Sequence, residues 1–265
     1  MTFDSARYLD RIGHHAAPPS PEALRRLQAA QLAAIPFENT EPFLGVLPDL
    51  GEQALWRKLV VEGRGGYCLE LNGLFGMALK ALGYDAEPVL GRVRMGAPVG
   101  GMRAHLAHIV RFGDARFLAD VGFGGPAPEA PKQIGVSRPQ ADRLGTFRFR
   151  DDPATGETVL ERETGDGWFA LYGFDGVPVT DADRLAANFF CAAFPGSPFP
   201  NHLMLNRVTP GGRISMFDLT LNAPEGVRTL ASENELAMAL TTRFGLDGAG
   251  LAGRLWGRFQ ARAAA

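Results

Sequence analysis

From Gly63 to Leu82 the chain reads Gly-Arg-Gly-Gly-Tyr-Cys-Leu-Glu-Leu-Asn-Gly-Leu-Phe-Gly-Met-Ala-Leu-Lys-Ala-Leu, and no other stretch constrains the fold as much. Its apolar residues Leu71, Leu74, Phe75, Ala78, Leu79 and Leu82 recur at the spacing of a helix packed on a core. Gly83 supplies the stop. Counting back three from Leu71 puts Cys68 on the same stripe, in the first turn, behind a turn loosened by Gly65 and Gly66. A thiol at a helix start meets the positive end of the dipole and free backbone N–H groups, which stabilise thiolate and are expected to lower its pKa. The stripe thus predicts a buried helix headed by a nucleophilic cysteine. Taken alone, a cysteine on an apolar stripe is more often a small core residue.

From Tyr84 the apolar period changes from 3.6 to two, with Val89, Gly91, Val93 and Met95 set against Leu90, Arg92 and Arg94. Strands are expected at about 88–95, 104–112, 115–121, 145–150, 157–162 and 167–174, in an antiparallel sheet or small barrel. Two of the five histidines stand in the run His105-Leu-Ala-His108-Ile-Val-Arg-Phe. Gly113-Asp114 then signals a hairpin, and Asp120-Val-Gly-Phe-Gly124 follows on its return strand. If the turn has two residues, facing positions sum to 227, so His105 faces Gly122 with Asp120 diagonally adjacent and His108 points the other way. A three-residue turn would move Asp120 to the opposite face. A nucleophilic thiol needs a base and the base an orienting group, which makes Cys68, His105 and Asp120 the candidate catalytic set. Read singly, a strand histidine is more often a satisfied polar residue and an Asp before Val-Gly-Phe-Gly a turn residue.

Ile35-Pro-Phe-Glu-Asn39, Arg64-Gly-Gly-Tyr-Cys68-Leu-Glu-Leu-Asn72, His105-Leu and Asp120-Val-Gly-Phe-Gly124 occur in an order and spacing that resemble the arylamine N-acetyltransferases, most strongly between about 30 and 125 and weakly beyond 200. The resemblance implies a Cys68-His105-Asp120 triad on a cysteine-protease-like core. It also implies acetyl-coenzyme A as donor and an arylamine, hydrazine or N-hydroxyarylamine as acceptor. Gly100-Gly-Met-Arg-Ala104, just before the histidine, departs from the family pattern and leaves the coenzyme A contacts unassigned. Phe37 and Phe123 are the candidates for an aromatic acceptor wall, by resemblance and because flat rings stack; either is equally well a core residue. The backbone of Gly122 and Gly124, together with N–H groups around Cys68, is the candidate oxyanion site.

A chain of 265 residues is more than one core usually organises. The expectation is an α+β protein in three parts: a helical bundle over 1–83 carrying the cysteine, a β-rich part over 84–190 carrying His105 and Asp120, and an interdomain segment with a C-terminal α/β lid over 191–265. Asp4 to Ile12 and the Ser20-Pro-Glu segment read as helices, the second with Ser20 as cap and Pro21 at its first position. Ile35-Pro-Phe-Glu38-Asn39 breaks it, and a third helix starts near Gly51. Glu38 lies between apolar residues and needs a partner if buried; Arg64 is the candidate, as a structural tie before Cys68. Thr180 caps a helix to Cys191, a hairpin spans 202–221 around Thr209-Pro-Gly-Gly212, and one terminal helix starts at Ser232 with Glu235 in a capping box.

With 46% hydrophobic and 21% charged residues, net charge −2 and pI near 6.2, the composition is that of a soluble globular protein without a basic nucleic-acid surface. No apolar stretch approaches a membrane span and no leader is apparent, so the reading is cytoplasmic. Cys68 and Cys191 lie in unrelated contexts and read as free thiols, with no metal site expected. The phosphate-binding pattern Gly-x-x-x-x-Gly-Lys-Ser/Thr does not occur. The function expected is ping-pong acetyl transfer through acetyl-Cys68. The alternatives are an amide synthase or a cysteine hydrolase on the same triad, and a catalytically silent binding protein. Oligomeric state is not legible.

Overall fold

The structure, a computed structural model, describes residues 3–263; the first two and last two residues of the expected outer parts lie outside it. Helix α1 (Ser5–Arg11) starts where the Asp4 carboxylate accepts the Arg7 N–H, and α2 (Pro21–Ala34) where the Ser20 hydroxyl accepts the Ala23 N–H. A two-residue strand β1 (Phe37–Glu38) and a short helix α3 (Thr40–Phe43) follow. Helix α4 (Glu52–Trp56) runs on into a π-helical turn, Arg57–Val61, ahead of α5 (Cys68–Ala81). Cys68 is the first residue of α5, and Leu71, Leu74, Phe75 and Leu79 are buried against Tyr8, Leu24, Leu27 and Leu59. Those four side chains bring roughly 6–12 kcal/mol of gross transfer free energy, an upper bound for an extended unfolded chain. That burial fixes which face of the helix, and so which face of Cys68, looks inward.

The period-two region forms strands β2 (Asp85–Val93), β3 (Arg103–Phe112), β4 (Ala115–Ala119), β5 (Lys132–Gln133), β6 (Gln140–Asp142), β7 (Gly145–Asp152), β8 (Glu157–Thr164) and β9 (Gly167–Phe174). They make one antiparallel sheet in the order β5-β4-β3-β2-β9-β8-β7-β6. The sheet curls until its edge strands meet through a side chain: the Gln140 amide accepts from the Gln133 N–H and donates to the Gln133 carbonyl, both at 2.8 Å. It is therefore a nearly closed barrel. Alternation divides β2 and β3 between two cores, Val89, Ala107 and Ile109 facing the interior and Leu90, Leu106 and Val110 facing α5. The β3–β4 hairpin pairs His108 with Ala119 and Phe112 with Ala115, positions that sum to 227, so the turn at Gly113-Asp114 has two residues.

Helix α6 (Asp181–Ala193), capped by Thr180, lays Ala187 and Cys191 into the same core as α5. Strands β10 (Met204–Thr209), β11 (Gly212–Phe217), β12 (Thr220–Ala223) and β13 (Gly226–Thr229) form a second sheet, with helices α7 (Glu233–Phe244) and α8 (Gly248–Ala263) sharing its core. Two expectations are corrected here. The single hairpin is a four-strand meander, and the single terminal helix is two, because Gly245 at φ 69° closes α7 in the left-handed region. A fifth strand of that sheet comes from far upstream: β1 pairs with β10, Phe37 opposite Asn206 and Glu38 opposite Leu205. Phe37 also bridges to Gly66, with the Glu38 N–H on the Gly66 carbonyl at 2.9 Å. The Ile35–Asn39 segment that ends α2 thereby ties the turn before Cys68 to the C-terminal sheet.

Candidate active site

The hairpin register brings Asp120 under His105, and His105 Nε2 lies 2.7 Å from Asp120 Oδ2. Strand β4 stops one residue short of Asp120, which frees its carboxylate to collect four donors. Oδ2 accepts from His105 and from the Tyr172 hydroxyl at 2.9 Å; Oδ1 accepts from Asn72 Nδ2 at 2.9 Å and the Gly122 N–H at 2.8 Å. The Asp120 N–H itself is held by Gln28 Oε1 at 3.1 Å. With Nε2 on the carboxylate, Nδ1 is left for the Cys68 thiol, which His105 contacts. All three side chains are buried, at 4 %, 2 % and 4 % exposure for Cys68, His105 and Asp120. His108 points the other way, its Nε2 donating to the Asn72 carbonyl at 2.8 Å, and burial lowers its pKa so that it stays neutral.

A cavity of about 570 Å³ is lined by Cys68 and His105. Phe37, Phe123, Phe190, Phe199, Met204 and Phe217 contribute to an almost wholly apolar wall drawn from all three cores. Phe123 packs edge-on to His105 with ring centroids 5.1 Å apart. Gly122 is needed for a reason other than the expected one: a Cβ there would come within 2.6 Å of Asn72 Nδ2 and 2.8 Å of Cys68 Cα, so only glycine lets the Asp120 loop lie against the helix start. Its N–H is already bound to Asp120 and is not available to an oxyanion. Gly124, at φ 69°, rests on the Phe37 ring, which a Cβ would meet at 2.6 Å.

The profile of the N-acetyltransferase family matches residues 21–249. The chain belongs to the arylamine N-acetyltransferase family. It is 37% identical over 221 residues to an arylamine N-acetyltransferase / N-hydroxyarylamine O-acetyltransferase of Salmonella typhimurium, covering 82% of this chain and 77% of that protein. To an arylamine N-acetyltransferase of Mycolicibacterium smegmatis it is 34% identical over 269 residues, covering 96% of each. The solved structure of the Mycobacterium marinum arylamine N-acetyltransferase in complex with CoA superposes with a TM-score of 0.88 at 34% identity, covering 96% of this chain and 98% of that one.

In this family member the electrostatics of the site oppose one expectation. The helix start was expected to lower the Cys68 pKa; contact with the Cys191 thiol and burial instead push it well up, and His105 only partly offsets them. Burial also works against a charged His105, yet the Asp120 carboxylate outweighs it and drives the imidazole up to about 10. Asp120 in turn is held below the usual carboxylate range against its own burial, by His105 and by the donors on its oxygens. Thiol and imidazole titrate as a unit. Once the first proton has left, Sγ and Nδ1 share the other, and the carboxylate draws it towards nitrogen.

Around the turn before Cys68 lies a second buried ionic group. Arg64 reaches Glu38 Oε1 at 2.8 Å, while Glu38 Oε2 accepts from the Thr40 N–H and hydroxyl at 2.7 and 2.6 Å. Lys58 bonds Glu70 at 2.6 Å and Glu41 at 2.8 Å, and Glu70 accepts the Tyr67 N–H at the head of α5. Lys58 and Glu70 are both shifted upward, which favours the charged lysine but the neutral carboxyl. Lys58 is raised because three carboxylates outweigh its burial; Glu70 is raised to about 7 because burial, with Glu38 and Glu41 as like charges, outweighs one lysine.

Asn72 and Tyr172 were not singled out in the sequence. Asn72 had a signal, since it stands four residues after Cys68 on the same helical face; besides Asp120 it holds the Leu106 carbonyl and the Val121 N–H. Tyr172 had none, because it arrives from β9, and it fits only because Gly91, diagonally across on β2, lacks a Cβ that would sit 2.9 Å from its ring. Cys191, read as unrelated to Cys68, lies beside it: both sulfurs approach the Ala104 carbonyl, at 3.8 and 3.9 Å.

Proposed function

We propose that the chain transfers the acetyl group of acetyl-CoA to arylamines, arylhydrazines or N-hydroxyarylamines in two displacements, with Cys68 as nucleophile, His105 as base and Asp120 as its orienting group. The observation that carries this is the 2.7 Å His105–Asp120 bond beside an apolar cavity that both Cys68 and His105 line. Once the pair has lost one proton the other rests on the imidazole, which Asp120 pushes up to about 10, so a thiol that burial makes reluctant to ionise alone reacts as a thiolate beside an imidazolium. Sγ, its proton already on Nδ1, attacks the thioester carbonyl, and that proton passes to the departing coenzyme A sulfur. That leaves acetyl-Cys68 and a neutral imidazole ready to accept a proton from the attacking amine. One cavity reaches the one sulfur that has a base beside it, so donor and acceptor occupy it in turn, which is the physical ground for a ping-pong order. Phe37 and Phe123 supply rings for a flat acceptor to lie against. With the Gly122 N–H engaged, the N–H groups at the start of α5 and at Gly124 remain as donors to the developing oxyanion.

No cluster of His, Cys, Asp and Glu among the described residues has the makings of a metal site, and no described helix is long and apolar enough to cross a membrane. The test is mass spectrometry after incubation with acetyl-CoA and no acceptor. One acetyl group on the Cys68 peptide, discharged by an arylamine, supports the reading. An unmodified protein under conditions of turnover would overturn it, and release of acetate without acceptor would turn it towards the hydrolase.

A further inference from the structure

Acetyl transfer as derived above uses one thiol, but the cavity has two. Cys191 sits in the last turn of α6, 5 % exposed, and lines the same cavity as Cys68. Its position is built. Tyr67, the residue before Cys68, donates its hydroxyl to Asn188 one turn upstream of Cys191, and the Ser197 hydroxyl holds the Cys191 carbonyl at 2.7 Å. Both sulfurs approach one acceptor, the Ala104 carbonyl next to the base His105, at 3.8 and 3.9 Å, which sets them side by side. Each ends a short side chain with one free torsion, and in the structure both are free thiols.

We propose that Cys191 is a resolving thiol that captures oxidised Cys68 as an intramolecular disulfide, making the enzyme reversibly inactivated by peroxides; this rests on Cys68 being the nucleophile. The chemistry balances with a hydroperoxide as two-electron oxidant. The Cys68 thiolate attacks the terminal peroxide oxygen, the O–O bond breaks, and the leaving hydroxide or alkoxide departs as water or alcohol with the proton held by His105. Cys68 is then a sulfenic acid. The Cys191 sulfur attacks that sulfur, the S–O bond breaks, and the hydroxide leaves as water with the Cys191 proton. Two thiols have lost two electrons and the peroxide has gained them. A dithiol restores both thiols by exchange, and meanwhile Cys68 is out of reach of the irreversible steps to sulfinic and sulfonic acid.

The experiment compares wild type with Cys191→Val and Cys191→Ala. Each is treated with hydrogen peroxide, read for acetyl transfer relative to its own untreated rate, then given dithiothreitol. Unreduced digests are analysed by mass spectrometry. In wild type a cross-linked pair of the Cys68 and Cys191 peptides is expected, two hydrogens lighter than their sum, with activity recovered by the dithiol. In the variants the loss is expected to persist, with two or three oxygens on Cys68. Preloading Cys68 with acetyl-CoA should block the cross-link. Absence of the cross-linked peptide in oxidised wild type overturns the proposal, as does equal recovery in wild type and both variants. Because the cross-link is read by mass, it stands or falls separately from the acyl-transfer reading, which the acetyl adduct tests.

Discussion

Replacing Asp120 by asparagine changes the fewest atoms and tests the most of the site. The carboxylate takes four donors, two on each oxygen. An amide has one acceptor oxygen and an NH₂ that only donates. If the oxygen stays with Asn72 and Gly122, the NH₂ faces His105 Nε2, which must then be the acceptor. The ring proton moves to Nδ1, where the thiol's proton should go. The flipped amide sets its NH₂ against the donors of Asn72 and Gly122, two buried donor clashes at about 1–3 kcal/mol each, so the first arrangement prevails. The expected loss in acetyl transfer is about 10⁴-fold, or roughly 5.4 kcal/mol of transition-state stabilisation. With the anion gone the imidazole falls back from about 10, and the pH at which Cys68 becomes reactive rises. The sign of the stability change follows. A histidine raised from 6.5 to about 10 stabilises the folded protein fully below 6.5 and ceases to do so as pH rises through 10. Wild type should therefore lose more stability than Asp120→Asn between pH 7 and 10. The assays are the rate of Cys68 alkylation against pH and melting curves at both ends of that window. Coincident alkylation profiles for the two proteins would refute the argument, whatever the activity did.

Cys68→Ser should lower transfer by at least about a thousandfold, roughly 4 kcal/mol, with the fold retained in circular dichroism; activity within tenfold of wild type removes Cys68 from the chemistry. Arg64→Ala leaves Glu38 Oε1 bare, but Thr40 still fills Oε2 and Lys58 still attracts the charge, so about 3 kcal/mol is expected, the low end for a broken buried pair. For a chain of this length that is a melting temperature lower by roughly 6–12 °C, and an unchanged melting temperature shows the pair contributes nothing. Lys58→Met deprives Glu70 of its cation and drives its pKa above the present value of about 7. A carboxyl raised in the folded state binds protons the unfolded chain has released, so the variant should lose stability with rising pH through neutrality more steeply than wild type. Parallel stability-against-pH curves would count against that network.

Sequence periodicity located α5 because an apolar stripe carries it into a core, and the apolar run of β3 ahead of Gly113-Asp114 located the β3–β4 hairpin, whose two-residue turn converted period into register. From the register came the His105–Asp120 contact. What stayed hidden had no periodic signature. Strand β13 is exposed along its whole length, so nothing alternates in it. Strand β1 is two residues long and pairs with a partner some 170 positions away. The Gly245 break between α7 and α8 falls inside a run that otherwise reads as helix. Tyr172 and Cys191 reach the site through sheet order and helix docking, which depend on the whole topology and not on their neighbours. The thiol's pKa was misjudged because a helix start was weighed without burial or the second sulfur, and neither is local.

The stitch made by β1 also has a consequence in time. Asn39 donates to the carbonyls of Phe199 and His202 and accepts the Met204 N–H, and the cavity over Cys68 takes Phe199 and Phe217 into its wall. A ribosome that has released the helical part and the barrel has therefore made every catalytic group while leaving the chamber without one side. Contacts of such sequence separation close slowly, so the nascent thiol stays unenclosed until the strands that carry Met204 and Phe217 have been made, and the chamber is completed only after the groups it encloses.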